Sequence, residues 1–281
     1  MPVRIFVDSS TDLPLELREK VTVIPLSIRF DHEEFLDGVT IDSRMFYERL
    51  TGCDALPTTS QPSPYVFEKA FRKAVDAGDP VVMITLSSKL SGTYQSAVIA
   101  AMEFSGKVFV VDSLSVTIGA GILVQYALEL AESGEDAQTI AWKLMQKREK
   151  IRLIAMLDTL EYLKKGGRIS SAAALAGSLL NIKPLICIEN GEIKMLGKAR
   201  GNKQGSQMMV QSIAKSGGID HRKPVLLGYT GLNSALLEKF IAEGVSLWDD
   251  PAAVPASTVV GSVVGTHAGP GAVAIAFFSK E

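Results

Sequence analysis

Hydroxyl side chains are concentrated in residues 87–96, a segment that reads SSKLSGTYQS. The segment lies between two apolar runs, a pattern typical of a buried strand, a loop and the start of a helix. The free backbone N–H groups of a helix N-terminus favour an anion, and Gly92 lets the backbone approach it closely. Ser91 and Thr93 add hydroxyl donors. The segment therefore indicates an anion-binding loop, although helix capping is the simpler explanation when it is taken alone.

Two basic side chains elsewhere have the chemistry to act on the same anion. Arg168 follows the pair Gly166-Gly167, which is typical of a helix end, and its planar guanidinium suits a carboxylate or a phosphate. His267 precedes a Gly-Pro-Gly sequence that leaves the imidazole room. Each also has an ordinary explanation, because Arg168 fits a surface position and His267 fits a turn.

Hydrolytic and ATP-dependent chemistry are poorly supported by the motifs. Ser91, His267 and Asp112 have the residue types of a hydrolytic triad, but Ser91 lacks the Gly-x-Ser-x-Gly sequence that exposes such a nucleophile. The chain contains no phosphate-binding loop with its lysine, and no Gly-x-Gly-x-x-Gly follows a predicted strand. An ATP-dependent catalytic function within this chain alone is therefore poorly supported.

The first two thirds of the chain alternate between strand-like and helix-like segments. Predicted strands at residues 3–7, 81–86 and 107–111 each end in a loop rich in Ser, Thr and Asp. A further strand is predicted at 21–30, and residues 57–63 read as a polar loop. This alternation predicts a parallel sheet with helices on both faces. Ligands of open α/β sheets bind at the carboxyl edge, so the three polar loops should converge there.

The second half predicts a mixed sheet with helices. A hairpin is indicated around Asn190-Gly191, a strand at 257–265 precedes His267, and a helix of small residues is expected at 172–180. The fold class is thus α/β, with one domain at 1–150 and a second at 151–281.

Composition excludes several classes of function. The 281 residues carry 29 basic and 31 acidic side chains, a net charge of −2, which does not fit nucleic-acid binding. Cys53 and Cys187 lie far apart, and with only three histidines the spacing of a metal site is missing, so neither metal nor cofactor is expected. No segment resembles a signal peptide or a membrane span, which predicts a cytoplasmic protein.

The motifs together resemble the DegV family of fatty-acid-binding proteins, which serve as the acyl-carrying subunits of bacterial fatty acid kinase. The resemblance extends nearly from end to end. It rests on DSSTDL at 8–13, TSQPS at 59–63, SSKLSGTYQS at 87–96, VDS at 111–113, LEYLKKGGRI at 160–169 and HAGPG at 267–271. Each motif alone is weak evidence, and their shared order makes the resemblance specific.

The resemblance implies a fold, a ligand and a partner. Two α/β domains would hold one long-chain fatty acid, such as palmitate, stearate or oleate, in a tunnel between them. A separate ATP-dependent fatty acid kinase would phosphorylate the bound acid to an acyl phosphate for lipid metabolism, and transient membrane contact is allowed. The chain would be the non-catalytic subunit, not an enzyme on its own, and would have no catalytic residue. The residues implied at the carboxylate are Thr59, Ser60, Ser91, Gly92 and Thr93, with Arg168 and His267 at the head group for orientation or phosphoryl transfer.

Physical chemistry agrees with a long acyl chain. A carboxylate removed from water needs hydrogen-bond donors, because its burial otherwise costs several kcal/mol. Each buried methylene contributes about 0.8 kcal/mol, whereas association costs roughly 4–15 kcal/mol, so a short acid would be held poorly. Two other classes of function stay open at this point: an enzyme acting on a small acidic or phosphorylated metabolite in the same interdomain cleft, and a ligand-sensing adaptor.

Overall fold

The computed structural model describes residues 2–53, 55–169, 181–248 and 254–280, and the helix predicted at 172–180 lies outside them. Within the described residues the strands are β1 (Arg4–Asp8), β2 (Thr22–Ile24), β3 (Ser27–Phe30), β4 (Glu33–Leu36), β5 (Thr58–Ser60), β6 (Val81–Thr85), β7 (Val108–Asp112), β8 (Ile151–Met156), β9 (Ile182–Glu189), β10 (Glu192–Arg200), β11 (Val225–Tyr229), β12 (Ser257–Val259) and β13 (Val273–Phe278). The α-helices are α1 (Leu15–Arg18), α2 (Ser43–Gly52), α3 (Pro64–Asp76), α4 (Thr93–Ala101), α5 (Thr117–Glu132), α6 (Ala137–Lys147), α7 (Glu161–Lys165), α8 (Gly201–Lys215), α9 (Ala235–Glu243) and α10 (Ser262–Ala268).

The first sheet is parallel and has the strand order β2-β1-β6-β7. Side chains alternate along β1, so Phe6 packs with Phe71 of α3 while Ile5 and Val7 face α5. Both faces of a parallel sheet must be covered in this way because its strands are apolar on both sides. The predicted parallel sheet with helices on both faces is confirmed.

The second sheet is mixed, with the strand order β10-β9-β8-β13-β11-β12, and its neighbouring strands are antiparallel except for the pair β11–β12. One face packs on α8 and α9, and the other packs on α5. Helix α5 therefore contacts both sheets, which explains why its first half is buried on all sides. The predicted mixed sheet is confirmed, whereas the domain boundary at residue 150 stays a prediction.

A third, antiparallel sheet has the order β4-β3-β5 and was missed by the sequence patterns. The prediction of one strand at 21–30 is wrong, because β2 and β3 belong to different sheets. Pro25 lies between them and has no N–H to continue a ladder. The residues predicted as a polar loop at 57–63 begin with the short edge strand β5, which pairs with β3.

The strand predicted at 257–265 is also wrong, since only β12 is extended and α10 follows it. A short apolar run has no periodicity that separates a strand from a helix. The N–H groups at the start of α10 have no partner within the helix and donate instead to distant carboxylates. Gly261 N is 2.8 Å from Asp12 Oδ1, and Ser262 N is 3.3 Å from Asp37 Oδ1. These tertiary contacts decide in favour of the helix.

The hairpin predicted at Asn190-Gly191 is confirmed, because both residues have positive φ, at 51° and 82°, as the tight turn between β9 and β10 requires. No helix among the described residues combines the length and the apolar character that crossing a membrane requires.

Candidate ligand-binding cavity

A cavity of about 370 Å³ lies where elements from both halves of the chain meet. Its size falls within the range of about 300–1,000 Å³ that is common for small-molecule sites. The walls are mainly apolar. They include Leu90, Leu153, Ile186, Ile188, Ile193 and Val263.

Small side chains of the second sheet leave room for this cavity. Ala155 of β8 is paired with Ala274 of β13, which in turn is paired with Gly228 of β11, and all three residues line the cavity. Cross-strand neighbours on one face of a sheet lie side by side, so the three form a continuous row. The row forms one side of a space that larger residues would fill.

Polar loops meet at the carboxyl edge of the parallel sheet, as predicted. The backbone N–H of Leu86 donates to Asp8 Oδ2 at 2.7 Å, and that of Ser88 donates to Asp112 Oδ1 at 3.2 Å. The loops after β1, β6 and β7 are therefore joined directly by hydrogen bonds. Asp8 is fully buried, and burial raises its pKa to about 6 although the Ser10 hydroxyl and the Leu86 N–H donate to it.

Thr59 and His267 form the centre of a polar cluster in the cavity wall. Thr59 is held on β5 by its pairing with Ile28 of β3, and His267 lies in the last turn of α10. The Thr59 hydroxyl oxygen is 3.0 Å from His267 Nε2. Neither residue type is unusual alone, and the third sheet is what brings them together.

The other ring nitrogen of His267, Nδ1, is buried and has no hydrogen-bond partner among the described residues. Gly166 lies against it so closely that a Cβ there would be 2.2 Å from Nδ1. Buried N–H groups without an acceptor are rarer than acceptors without a donor, which favours a proton on Nε2. His267 then donates to Thr59, and the Thr59 hydroxyl proton is free to point at a ligand.

His267 is held neutral by its surroundings. Burial and, second, the Arg168 guanidinium lower the pKa of His267 from 6.5 to about 4. At neutral pH the imidazole is therefore a hydrogen-bond donor rather than a cation. Arg168 supplies the positive charge on this side of the cavity.

Arg168 emerges from the predicted turn at the end of α7, where Gly167 has a φ of 70°. Its Nη1 donates to Gly166 O at 2.5 Å, and its Nε donates to Leu90 O at 3.3 Å. Among the described residues, no carboxylate forms an ion pair with Arg168. The half-buried guanidinium therefore joins the turn to the Ser91 loop. Its positive charge is not compensated by a carboxylate of the described residues.

Two residues of the Ser91 loop line the cavity, and a third supports them from outside it. Ser91 and Gly92 line the cavity, whereas Thr93 is fully buried outside it. Thr93 supports Ser91 through a hydroxyl–hydroxyl contact of 2.9 Å and a backbone N–H donated at 3.3 Å. The triad of Ser91, His267 and Asp112 is not assembled, since Asp112 accepts from backbone groups of its own edge and His267 contacts Thr59.

Ser60 and Gln61 complete the cluster. Ser60 lines the cavity although its side chain is exposed, so the cavity reaches the surface here. The sequence patterns do not indicate Gln61 as a site residue. Its Nε2 donates to Ser96 Oγ at 2.9 Å. A Cβ on residue 92 would be only 2.2 Å from the Gln61 Oε1. The close contact explains why the loop has a glycine at position 92.

The part of the chain that the structure describes contains no group of His, Cys, Asp or Glu side chains placed to hold a metal ion. The arrangement is that of an apolar cavity with one contiguous group of hydroxyl, imidazole and guanidinium donors. Such a site can hold an anion that carries an apolar body.

Comparison with known proteins identifies similar chains over the full length. A DegV domain-containing protein of Deinococcus radiodurans is 36% identical over 289 residues, which cover 98% of each chain. A fatty-acid-binding DegV family protein of Thermus thermophilus has a solved structure with a TM-score of 0.87 and 32% identity, covering 100% of both chains. The structure of a stearic acid-binding protein of Eubacterium ventriosum has a TM-score of 0.84 and 29% identity, covering 98% of this chain and 97% of the other.

The family model that matches is described as an uncharacterised protein of the DegV family, and the match spans residues 2–280. The family resemblance noted from the motifs is thereby confirmed. The chain belongs to the DegV family.

Proposed function

We propose that this protein binds one long-chain fatty acid, with the acyl tail in the cavity and the carboxylate at the polar cluster. One observation carries the proposal: an apolar cavity is bordered by a contiguous donor group formed by Thr59, Ser91, Arg168 and His267. A carboxylate that leaves water needs such donors, and an acyl tail needs such walls.

The cluster suggests a distinct role for each side chain. Thr59 and Ser91 donate hydroxyl protons to the carboxylate, the backbone at Gly92 lies close to it, and Thr93 fixes Ser91. Neutral His267 orients the Thr59 hydroxyl. Charge-assisted hydrogen bonds are about twice as strong as neutral ones, so these donors should dominate head-group affinity.

Chain length follows from the cavity walls and from the relatives. Each buried methylene contributes about 0.8 kcal/mol, so only a long tail outweighs the cost of association. The related proteins of Thermus thermophilus and Eubacterium ventriosum bind a fatty acid and stearic acid, respectively. Palmitate, stearate and oleate are therefore the proposed ligands.

We further infer that the protein presents the carboxylate to a separate ATP-dependent fatty acid kinase and is its non-catalytic subunit. In that reaction a carboxylate oxygen attacks the γ-phosphorus of ATP, the bond to the ADP oxygen breaks, and acyl phosphate and ADP result. Support comes from Ser60 and Gly167, which are exposed beside the cluster, so the head group lies near the surface. A cytoplasmic location with transient membrane contact for ligand exchange completes the proposal.

Extraction of the purified protein tests ligand identity. The protein is denatured, and the extract is analysed by mass spectrometry. Stoichiometric fatty acid of about 14–18 carbons supports the proposal, because shorter chains bury too few methylenes. Reproducible absence of fatty acid after expression in lipid-replete cells would overturn it. A small acidic or phosphorylated compound in its place would instead favour a metabolite enzyme.

A further inference from the structure

Residues 9–12 form the loop after β1, and the proposed function assigns them no role. Asp12 is only 5% exposed. Its Oδ1 accepts a hydrogen bond from Gly261 N at 2.8 Å, and its Oδ2 accepts one from Thr117 Oγ1 at 2.5 Å. A single carboxylate thereby joins the start of α10 to the start of α5, two elements that border the cavity.

Thr117, one of the two partners of Asp12, has a strained backbone. Its φ is 50°, in the left-handed region that β-branched residues avoid. Such strain persists only where the surroundings hold it, and it is concentrated at binding sites. Here the Thr117 N–H donates to Ser10 O at 2.9 Å and the hydroxyl donates to Asp12. Thr117 also lines the cavity, so the strain is held at the wall of the site.

A second buried carboxylate, Asp37, lies beside Asp12 at the start of α10. A Cβ on Gly261 would be 3.0 Å from Asp12 Oδ1 and 3.7 Å from Asp37 Oδ2, so both acids flank this glycine. Burial raises the pKa of Asp12 to about 7 and also raises that of Asp37, with Arg18 the positive charge that lowers both. Two neighbouring buried acids disfavour folding, which argues that they have another use.

The short helix α10 connects its first residues, which contact Asp12 and Asp37, to the polar cluster. The helix has seven residues, so its first and last turns move as one body, and the last turn carries His267. Val263 and Val264 of the same helix line the cavity. A shift of α10 would therefore change the Thr59–His267 contact and the cavity wall together.

We propose that Asp12 is a positioning residue, which fixes α10 and Thr117 so that His267 meets Thr59 at the head-group cluster. This inference rests on the proposed function and adds to it a residue that touches no ligand. Asp12 acts through α10 and α5, and Asp37 supports it at Ser262.

Asp12→Asn tests the proposal because asparagine has nearly the same shape but no charge, so the hydrogen bond from Gly261 becomes a weaker, neutral one. Its amide nitrogen cannot accept the Thr117 hydroxyl proton, which must turn away. Asp136→Asn is the matched control. Asp136 also accepts one backbone N–H and one hydroxyl, both from Thr139 at 3.0 and 2.7 Å, but it lies at the exposed start of α6. Dissociation of a fluorescent 16-carbon fatty acid, the NMR signals of the His267 ring and the melting temperature are measured at pH 8.

The expected result separates positioning from stability. Asp12→Asn should release the fatty acid about ten-fold faster and shift the His267 ring signals, while its melting temperature stays at or above that of the wild type. Asp136→Asn should leave release and ring signals unchanged. Wild-type release and signals in Asp12→Asn, or faster release only together with a lower melting temperature, would overturn the proposal.

Two variants of Thr117 keep the test decisive if Asp12→Asn does not fold. Thr117→Val removes the hydroxyl that meets Asp12 and should behave as Asp12→Asn does, whereas Thr117→Ser keeps the hydroxyl and should behave as the wild type. Equal behaviour of the two Thr117 variants would overturn the role of this hydrogen bond. If the wild type holds no fatty acid, the proposed function fails, and the His267 ring signals of the ligand-free protein still test the positioning.

Discussion

The hydroxyl of Thr59 and the imidazole of His267 meet at 3.0 Å, although 208 positions separate them in the chain. One lies on an edge strand of the small antiparallel sheet and the other in the last turn of α10. The head-group cluster therefore depends on contacts between distant segments. Substitutions at the two positions should affect ligand binding more than they affect the stability of β5 or of α10.

Removal of the hydroxyl of Ser91 or Thr59 should weaken fatty-acid binding. A hydrogen bond to a charged acceptor is worth about 1.5–3 kcal/mol, so Ser91→Ala and Thr59→Val should each raise Kd by about 10–150-fold. Displacement of a fluorescent fatty acid measures this change. Ser88→Ala and Thr58→Val are matched controls, because Ser88 lies three positions before Ser91, Thr58 is adjacent to Thr59, and neither residue lines the cavity. Equal effects in variants and controls would contradict the assignment.

Arg168 and His267 should matter more for acyl phosphate formation than for retention of the acid. With the partner kinase and ATP present, Arg168→Ala and His267→Ala should each slow formation by about ten- to a thousand-fold, because charge develops at the head group. Trapping of the product as a hydroxamate measures the rate. Lys165→Ala is the control, since Lys165 is exposed on the same turn and pairs with Glu161 at 2.6 Å. A rate unchanged in both variants would exclude the proposed roles.

The low pKa of His267 predicts destabilisation by acid. Its folded-state pKa of about 4 lies below the ordinary 6.5, because burial and then Arg168 disfavour the charged ring. The stability that the neutral His267 ring contributes to the fold is complete above pH 6.5 and is lost as the pH falls toward 4. Urea unfolding across this window should show a steeper loss in the wild type than in His267→Gln. NMR titration of the His267 ring is a direct check.

Asp12 should show the opposite dependence on pH. Burial raises its pKa from 3.8 to about 7, and the charged or titratable groups near it are Asp37, Tyr47 and Arg18. A carboxyl group whose pKa is raised in the folded state stabilises the fold fully below pH 3.8, and this contribution is lost as the pH rises through 7. Asp12→Asn should therefore gain stability relative to the wild type between pH 4 and 8 in urea unfolding. A constant difference across that range would show that Asp12 is ionised throughout.

Much of the fold could be predicted from the sequence because its signals are local. Apolar runs that end in polar loops predict the parallel sheet, and Asn190-Gly191 predicts the hairpin. The strand prediction at 257–265 is wrong because the N–H groups that begin the helix there donate to Asp12 and Asp37, more than 220 positions away. Local patterns carry no trace of such contacts.

The polar residues of the site were predicted through family motifs, and the structure brings most of them to one cavity. Thr93 is the exception, because it supports Ser91 from outside the cavity. Gln61 was missed, since nothing in its spacing shows that its amide packs against Gly92. The cavity walls were also missed, because core residues and tail-contacting residues are equally apolar.

The row of small residues should set how much acyl chain fits. Ala274→Leu adds methylenes into the cavity, so the protein should hold shorter or less fatty acid while its stability is kept or rises. Ala276 lies two residues along the same strand and on the same face, but it is fully buried in the core away from the cavity. Ala276→Leu should therefore cost about 1–3 kcal/mol by overpacking and leave the acyl-chain profile unchanged. Mass spectrometry of the extracted lipid and thermal unfolding measure the two effects. If Ala274→Leu destabilises as strongly as Ala276→Leu and retains the same fatty acids, this row does not border the acyl chain.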